Sequence, residues 1–309
     1  MYTVYKKHEE YGDNMEYIKL KSRAKINLTL DVIARRDDGY HDLEMIMQTV
    51  GLYDSIFIKK TDKDEIFIKT NLHYLPTDER NITYKAAKLI KDEFGISNGV
   101  YIELTKRIPV AAGLAGGSGN GAAVIKGMNR LFDLDLSTKK MMELGEHLGS
   151  DVPYCLMEGT ALAKGRGEIL TQLNPCPHFY VLLAKPDISV STASVYKNLD
   201  LKMVKKHPNT NAVLAAIANG DKTGISTGLC NVLETVTINQ RPIVKEIKNF
   251  IAEQGSCGVL MSGSGPTVFA LFEKIETAKE AAKKVKEKFN IKDVYVTEIY
   301  NPSGEKGRN

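Results

Sequence analysis

The chain of 309 residues has no tryptophan and only four cysteines. Cys155, Cys176, Cys230 and Cys257 form no C-x-x-C pair, and no histidine stands at metal spacing from them. Structural zinc and a disulfide framework are therefore not expected; four reduced, mostly buried thiols are. No apolar run approaches the roughly 18 residues that a membrane span needs. The opening "MYTVYKKHEEYGDN" lacks the apolar core of a secretory signal, so a cytoplasmic location is expected. An excess of one charge is missing too: 42 basic residues stand against 38 acidic ones, a net +4. Nucleic-acid binders carry a larger and more clustered excess, so neither a nucleic acid nor a membrane is an expected partner. The lysine-rich stretches "KEIKNF" and "AAKKVKEKF" mix both signs and read as solvated helix faces.

What is present is the composition of a soluble globular protein, 43% hydrophobic and 26% charged. The length suits two domains of roughly 150 residues. "EYIKLKSRAKINLTLDVIA", 16 to 34, alternates apolar and polar residues and predicts a strand, followed by the turn "RRDDGYHD" around Gly39. "MIMQTVGLYDSIFIKKTDKDEIFIKT" predicts several short strands. "RNITYKAAKLIKDEFG", 80 to 95, has helical periodicity and a terminal glycine. A strand, "GVYIELTKRIPV", then precedes helices at "GAAVIKGMNRLF" and 137 to 149. Further on, "FYVLLAKP" predicts a buried strand, "TNAVLAAIANG" and "RPIVKEIKNFIAEQG" helices, and "CGVLMSGSGPTVFALFE" two strands joined by a Gly/Ser turn. A helix, "ETAKEAAKKVKEKF", and a strand, "KDVYVTEIY", follow. Strands and helices mix without regular βαβ alternation, so the expected class is α+β.

The stretch "PVAAGLAGGSGNGAA", 109 to 123, holds five glycines and sits between a strand and a helix. A flexible linker would be polar and would separate domains. Backbone N–H groups without a Cβ above them can wrap an anion, and a helix N-terminus adds unsatisfied donors and partial positive charge. A phosphate cradle is the expectation; a tight strand-to-helix turn is the alternative. No lysine follows the last glycine as the Walker pattern requires, and the dinucleotide fingerprint fits only by shifting register.

This stretch resembles the second motif of the GHMP small-molecule kinases. "RAKINLTLDVIARRDDGYHDLEMIMQTVGLYD", 23 to 54, resembles the first motif, and "GVLMSGSGPTVFALF", 258 to 272, the third. The three occur in order across about 250 of the 309 residues. The resemblance implies an α+β, two-domain GHMP kinase fold with the active site in the inter-domain cleft. It implies an N-terminal ATP-binding domain over 1–165, with 1–14 an extension before a possible start at Met15, and a C-terminal domain over 166–309. "AKINLTL" with "DGYH", "GSDVPYCL" and "KPDISVSTASVY" is similar to the members that phosphorylate the 2-hydroxyl of a cytidine-diphosphate-linked methylerythritol in non-mevalonate isoprenoid synthesis. ATP and Mg²⁺ are then the expected cofactors.

By that resemblance Asp151 is the general base, and Lys25 holds the acceptor hydroxyl and offsets charge on the transferring phosphoryl. Asn27, which shares a strand face with Lys25, hydrogen-bonds the substrate. Tyr40 and His41 hold the cytosine by stacking and by hydrogen bonds, and Tyr196 is the second stacking ring. Thr192, Ser264 and Gly265 complete the acceptor side. Gly113, Leu114, Ala115, Gly116, Gly117, Ser118 and Gly119 hold the ATP phosphates, Pro109 belongs to the same ATP-binding set, and Asn81, Ile82 and Lys106 line the adenine pocket. Taken alone, an Asp after Gly-Ser is more often a turn residue, and a strand Lys more often snorkels.

One departure concerns the metal. The family commonly carries two adjacent hydroxyls in the loop, and here the pair reads Ser118-Gly119, which leaves the Mg²⁺ ligands unassigned. A GHMP kinase for homoserine, a mevalonate derivative or a sugar would share the loop but lack the cytosine clamp. A non-catalytic nucleotide-binding regulator would not need Lys25 and Asp151 together.

Overall fold

The computed structural model of the chain describes residues 16–302. Two compact units emerge. The first takes the residues up to Arg23, Tyr53–Ile108 and Ala115–Met157; the second takes Ala24–Leu52, Pro109–Leu114 and the residues from Glu158 on.

Strand β1 (Tyr17–Arg35) contributes to both units, and its burial changes on the way. "YIKLKS" alternates exposed and buried, as a strand with one wet face does, whereas "AKINLTLDV" is mostly buried. Strand β2 (His41–Thr61) is one strand of 21 residues, where the sequence predicts several short ones. It has no proline, and partners hold it at both ends: β4 over 55–61 and β5 over 43–48.

In the first unit β3 (Ile66–Thr70) pairs in parallel with β4 (Gly99–Thr105), and β4 pairs antiparallel with β2. Helix α1 (Ile82–Phe94) starts at the Asn81 cap and stops at Gly95, whose φ of 62° is left-handed. It packs on α2 (Gly116–Leu131). That helix begins at Gly116, earlier than its apolar periodicity indicates, so four of the five glycines lie inside it. Helix α3 (Thr138–Glu146), capped by Ser137, packs with α4 (Asp151–Met157). The core here is Ile56, Ile58, Ile90, Ile102, Val124 and Met128.

In the second unit β5 (Thr160–Gly165) pairs with β2 and with β6 (Ile169–Gln172). Strand β7 (Tyr180–Lys185) leads to α5 (Thr192–Lys197), α6 (Thr210–Ala218) and α7 (Lys222–Thr227). Strand β8 (Cys230–Asn231) lies parallel to β1 at Thr29 and Leu30, and α8 (Glu234–Gln240) follows. Helix α9 (Pro242–Ala252) has Pro242 in its first turn, as expected. Strands β9 (Gly258–Met261) and β10 (Val268–Phe272), helix α10 (Ile275–Phe289) and strand β11 (Asp293–Glu298) complete the unit. The antiparallel order β11-β7-β10-β9 forms a second sheet, on which α9 and α10 pack; Phe179, Phe269 and Phe272 are fully buried in this unit. The α+β class is as expected. Cys155, Cys176 and Cys230 are buried, and none of the four cysteines is in a disulfide.

Candidate active site

The glycine stretch is an ordered turn with an unusual backbone. Ala111, Gly113 and Ala115 have φ of 52°, 74° and 54°, while the residues between them stay at negative φ. Alternation of this kind turns successive N–H groups toward one side, the geometry of an anion-binding nest. Left-handed alanines cost about 1–2 kcal/mol each, strain of the sort that collects at functional sites. The turn ends at Ala115, and α2 opens with no side-chain cap on its first N–H groups.

Close packing explains two of the glycines. A Cβ on Gly116 would stand 2.9 Å from Ile108 Cγ2 and 3.2 Å from Lys106 Nζ. One on Gly119 would stand 2.7 Å from Ser22 Oγ and 3.2 Å from the Arg23 carbonyl. The missing second hydroxyl of the loop thus coincides with a position that the Ser22 hydroxyl crowds.

Beneath this helix start lies a buried polar network. Asp54, fully buried, accepts hydrogen bonds from Arg107 N at 2.7 Å, Ile108 N at 2.8 Å, Asn120 Nδ2 at 2.9 Å and the Lys106 ammonium. Lys106 also donates to Asn120 Oδ1 at 3.0 Å, and Asn120 Nδ2 to Ser22 Oγ at 3.0 Å. The ammonium of Lys106 is therefore committed to Asp54 and Asn120. The Asn81 side chain caps α1, accepting from Thr83 N and donating to the Pro76 carbonyl. Ile82 lies along Gly117 and Gly121. The first unit thus brings Asn81, Ile82, Lys106 and Gly116–Gly119 around one helix start. Asp151, half-buried, is the first residue of α4.

The second unit gathers another group. Lys25, buried on β1, donates to Asn27 Oδ1 at 2.8 Å, and Asn27 Nδ2 reaches Met45 Sδ at 3.3 Å. Lys25 N donates to the Leu114 carbonyl. The Gly/Ser turn after β9 touches the same backbone: Ser262 Oγ donates to the Gly113 carbonyl at 2.9 Å. Ser264 Oγ meets Thr192 Oγ1, the first residue of α5, at 2.8 Å. Gly265 has φ of 83°. One turn of α5 beyond Thr192, the Tyr196 ring stacks directly on His41, centroids 5.2 Å apart. Tyr40 is 58% exposed, with the Arg166 guanidinium 5.5 Å from its ring. Burial, and then the charge of Arg35, push the His41 pKa down, which favours the neutral imidazole with one donor and one acceptor nitrogen. Pro109 and Leu114 flank the glycine turn.

Several residues escaped the sequence reading. Asp54 and Asn120 of the buried network, and Asn231, Glu234 and Thr237 near the Gly/Ser turn, carry no local signal beyond polar side chains among apolar neighbours.

Two α+β units and a strained glycine turn opening an uncapped helix give a geometry suited to an anion such as a phosphate. Residues 81–159 match the family described as GHMP kinases N terminal domain, and residues 213–291 match GHMP kinases C terminal. The chain belongs to the GHMP kinase family and is an ATP-dependent phosphotransferase. A relative from Lachnoclostridium phytofermentans, named 4-diphosphocytidyl-2-C-methyl-D-erythritol kinase, is 54% identical over 267 residues, 86% of this chain and 92% of its own length. One of the same name from Caldicellulosiruptor saccharolyticus is 49% identical, over 90% of this chain and 95% of its own. A crystal structure of 4-(cytidine 5'-diphospho)-2C-methyl-D-erythritol kinase superposes with a TM-score of 0.79 at 30% identity, over 92% of this chain and 100% of that one. A homoserine kinase from Cytophaga hutchinsonii shares the fold, with a TM-score of 0.74 at 22% identity, over 94% and 97%. Among the described residues no helix is long and apolar enough to cross a membrane.

Proposed function

We propose that the chain transfers the γ-phosphoryl group of ATP to the 2-hydroxyl of 4-diphosphocytidyl-2-C-methyl-D-erythritol, in the cytoplasm, with family domains dividing near residue 165. The observation that carries this reading is the name shared by relatives about half identical over nearly their whole length. The stacked His41–Tyr196 pair and the exposed Tyr40 ring supply aromatic surface suited to a base. A homoserine or mevalonate acceptor would have no use for it.

Phosphoryl transfer is mainly positioning and charge neutralisation. The left-handed turn 111–115 and the first N–H groups of α2 hold phosphate oxygens. Asp151 accepts the proton of the acceptor hydroxyl as its oxygen bonds to phosphorus, and the phosphorus–oxygen bond to ADP breaks. Lys25, oriented by Asn27 Oδ1, supplies positive charge to the acceptor oxygen and the moving phosphoryl. Neutral His41 reads the hydrogen-bonding edge of the cytosine, and Thr192 and Ser264 line the acceptor side. A Mg²⁺ ion fits as one carried with the nucleotide. Among the described residues no three His, Cys, Asp or Glu side chains cluster, and Mg²⁺ commonly takes most of its oxygens from phosphate and water. Such an ion would supply positive charge to the phosphate oxygens, and Ser118 is the loop hydroxyl that would help to hold it.

The test is Tyr40→Ala. Stacking on one face is worth about 1–3 kcal/mol, so the acceptor KM should rise by about 10- to 100-fold while the KM for ATP holds. An unchanged acceptor KM would contradict the clamp.

A further inference from the structure

Three side chains grip the backbone of one turn. Asn231, Glu234 and Thr237 follow one another at intervals of three, the spacing that puts residues on one face where β8 passes into α8. Asn231 Nδ2 donates to the carbonyls of Met261 and Gly263, each at 2.8 Å, and its Oδ1 accepts from Leu233 N at 2.9 Å. Glu234 Oε1 accepts from Met261 N at 2.9 Å, while Lys248 Nζ holds the other oxygen at 2.6 Å. Thr237 Oγ1 donates to the Ser264 carbonyl at 3.0 Å. Asn231 is 4% exposed and Thr237 fully buried. Buried side chains so completely engaged fix a backbone in one arrangement, because any slip leaves a donor or acceptor unpaired away from water.

The gripped turn, 261–265, has its own outward contacts. Ser262 Oγ donates to the Gly113 carbonyl, in the middle of the left-handed glycine turn. Ser264 Oγ bonds Thr192 Oγ1 on the acceptor side. A Cβ added to Gly263 would lie 3.2 Å from the Gly113 carbonyl and 3.6 Å from Asn27 Oδ1. The turn therefore stands between Asn231, Glu234 and Thr237 on one side and Gly113, Asn27 and Thr192 on the other.

We propose that Asn231, Glu234 and Thr237 are positioning residues for phosphoryl transfer. Through Ser262 they set the phosphate turn at Gly113, and through Ser264 they set the acceptor wall at Thr192. This rests on the kinase reading of Gly113 and Thr192 given above. None of the three touches a reacting atom in the proposed scheme. The division of labour follows from the partners: Thr237 acts on Ser264 and hence on the acceptor, whereas Asn231 acts on both sides of Ser262 and hence on the phosphate turn as well.

Two variants of the full-length chain separate positioning from plain stability. Thr237→Val keeps the shape and deletes one hydroxyl. It should raise the acceptor KM about fivefold, the loss expected of one neutral hydrogen bond, with the KM for ATP within twofold, and Thr237→Ser should restore the parent value. Asn231→Asp keeps the acceptor for Leu233 N but aims a carboxyl at two carbonyl oxygens. At pH 8 its kcat/KM should fall at least about tenfold. Burial against carbonyls favours a protonated carboxyl, which can donate one of the lost bonds, so the ratio of variant to parent should climb as pH falls to 6. Melting temperatures are recorded alongside. Thr237→Val with both KM values unchanged, or with both raised together in step with lost stability, would overturn the proposal. So would an Asn231→Asp ratio that is flat with pH; if that variant fails to fold, the Thr237 pair decides alone. A parent that phosphorylates no acceptor removes the kinase reading itself, whereas an active parent with unmoved variants removes only the positioning role.

Discussion

Asp54→Ala removes the centre of a deeply buried ionic network in the first unit. The carboxylate is fully buried and the Lys106 side chain 5% exposed, so solvent cannot replace what is lost. The substitution leaves the ammonium with Asn120 Oδ1 at 3.0 Å and strips the acceptor from the N–H groups of Arg107 and Ile108. Breaking a buried pair by deleting one partner costs about 3–5 kcal/mol, and an orphaned buried donor about 1–3 kcal/mol, though the two do not add in full. A loss of at least about 4 kcal/mol is therefore expected, which lowers the melting temperature of a unit this size by about 8 °C or more. Urea and thermal unfolding measure it. Replacing both charges at once, as Asp54→Leu with Lys106→Met, should recover part of the loss, since no uncompensated charge is then buried. Asp54→Ala within about 1 kcal/mol of the parent would refute the reasoning, as would a double variant less stable than Asp54→Ala.

Asp151→Asn should lower kcat by orders of magnitude while ATP still binds by calorimetry, and Lys25→Ala should do the same; near-full activity of Asp151→Asn would end its role as base. Gly119→Ser should destabilise the protein, because its Cβ would stand 2.7 Å from Ser22 Oγ, and pairing it with Ser22→Ala should relieve only part of that loss in a melting experiment, since the Arg23 carbonyl stays 3.2 Å away and Asn120 loses its bond to Ser22. His41 supplies a pH dependence. Its pKa lies below the ordinary 6.5, so the neutral ring and its contribution to stability persist above that pH and are lost as pH falls through the lowered value. The acceptor KM of the parent relative to His41→Ala should be flat from pH 7 to 9 and worsen only below 6.5; a rise beginning above pH 7 would contradict this.

The sequence announced the elements whose local chemistry and tertiary role agree. "YIKLKS" alternates because one face is wet, and α1 carries its cap at Asn81 and its stop at Gly95. The glycine stretch was legible as an ordered strand-to-helix junction, because its glycines run straight into an amphipathic helix as a linker would not. What stayed hidden depends on partners distant in sequence. Strands β5 and β6 are short, and β5 forms against β2 from Leu43–Gly165 to Gln48–Thr160. The helix opened by Asp151 was masked by Pro153, which a first turn tolerates because its N–H would be unpaired anyway. Asp54 in "GLYDSI" carries no local mark of its role; only the return of the chain after β4 and the start of α2 makes it a buried acceptor. Asn231, Glu234 and Thr237 likewise gain their meaning from a turn some 30 residues away.

The central claim is the acceptor, and one assay addresses it: ADP release by the purified chain with ATP and Mg²⁺, compared across 4-diphosphocytidyl-2-C-methyl-D-erythritol, bare methylerythritol phosphate, homoserine and mevalonate. The account predicts turnover with the first and very poor turnover with the others. Equal use of the bare phosphate, or preference for homoserine or mevalonate, would contradict it.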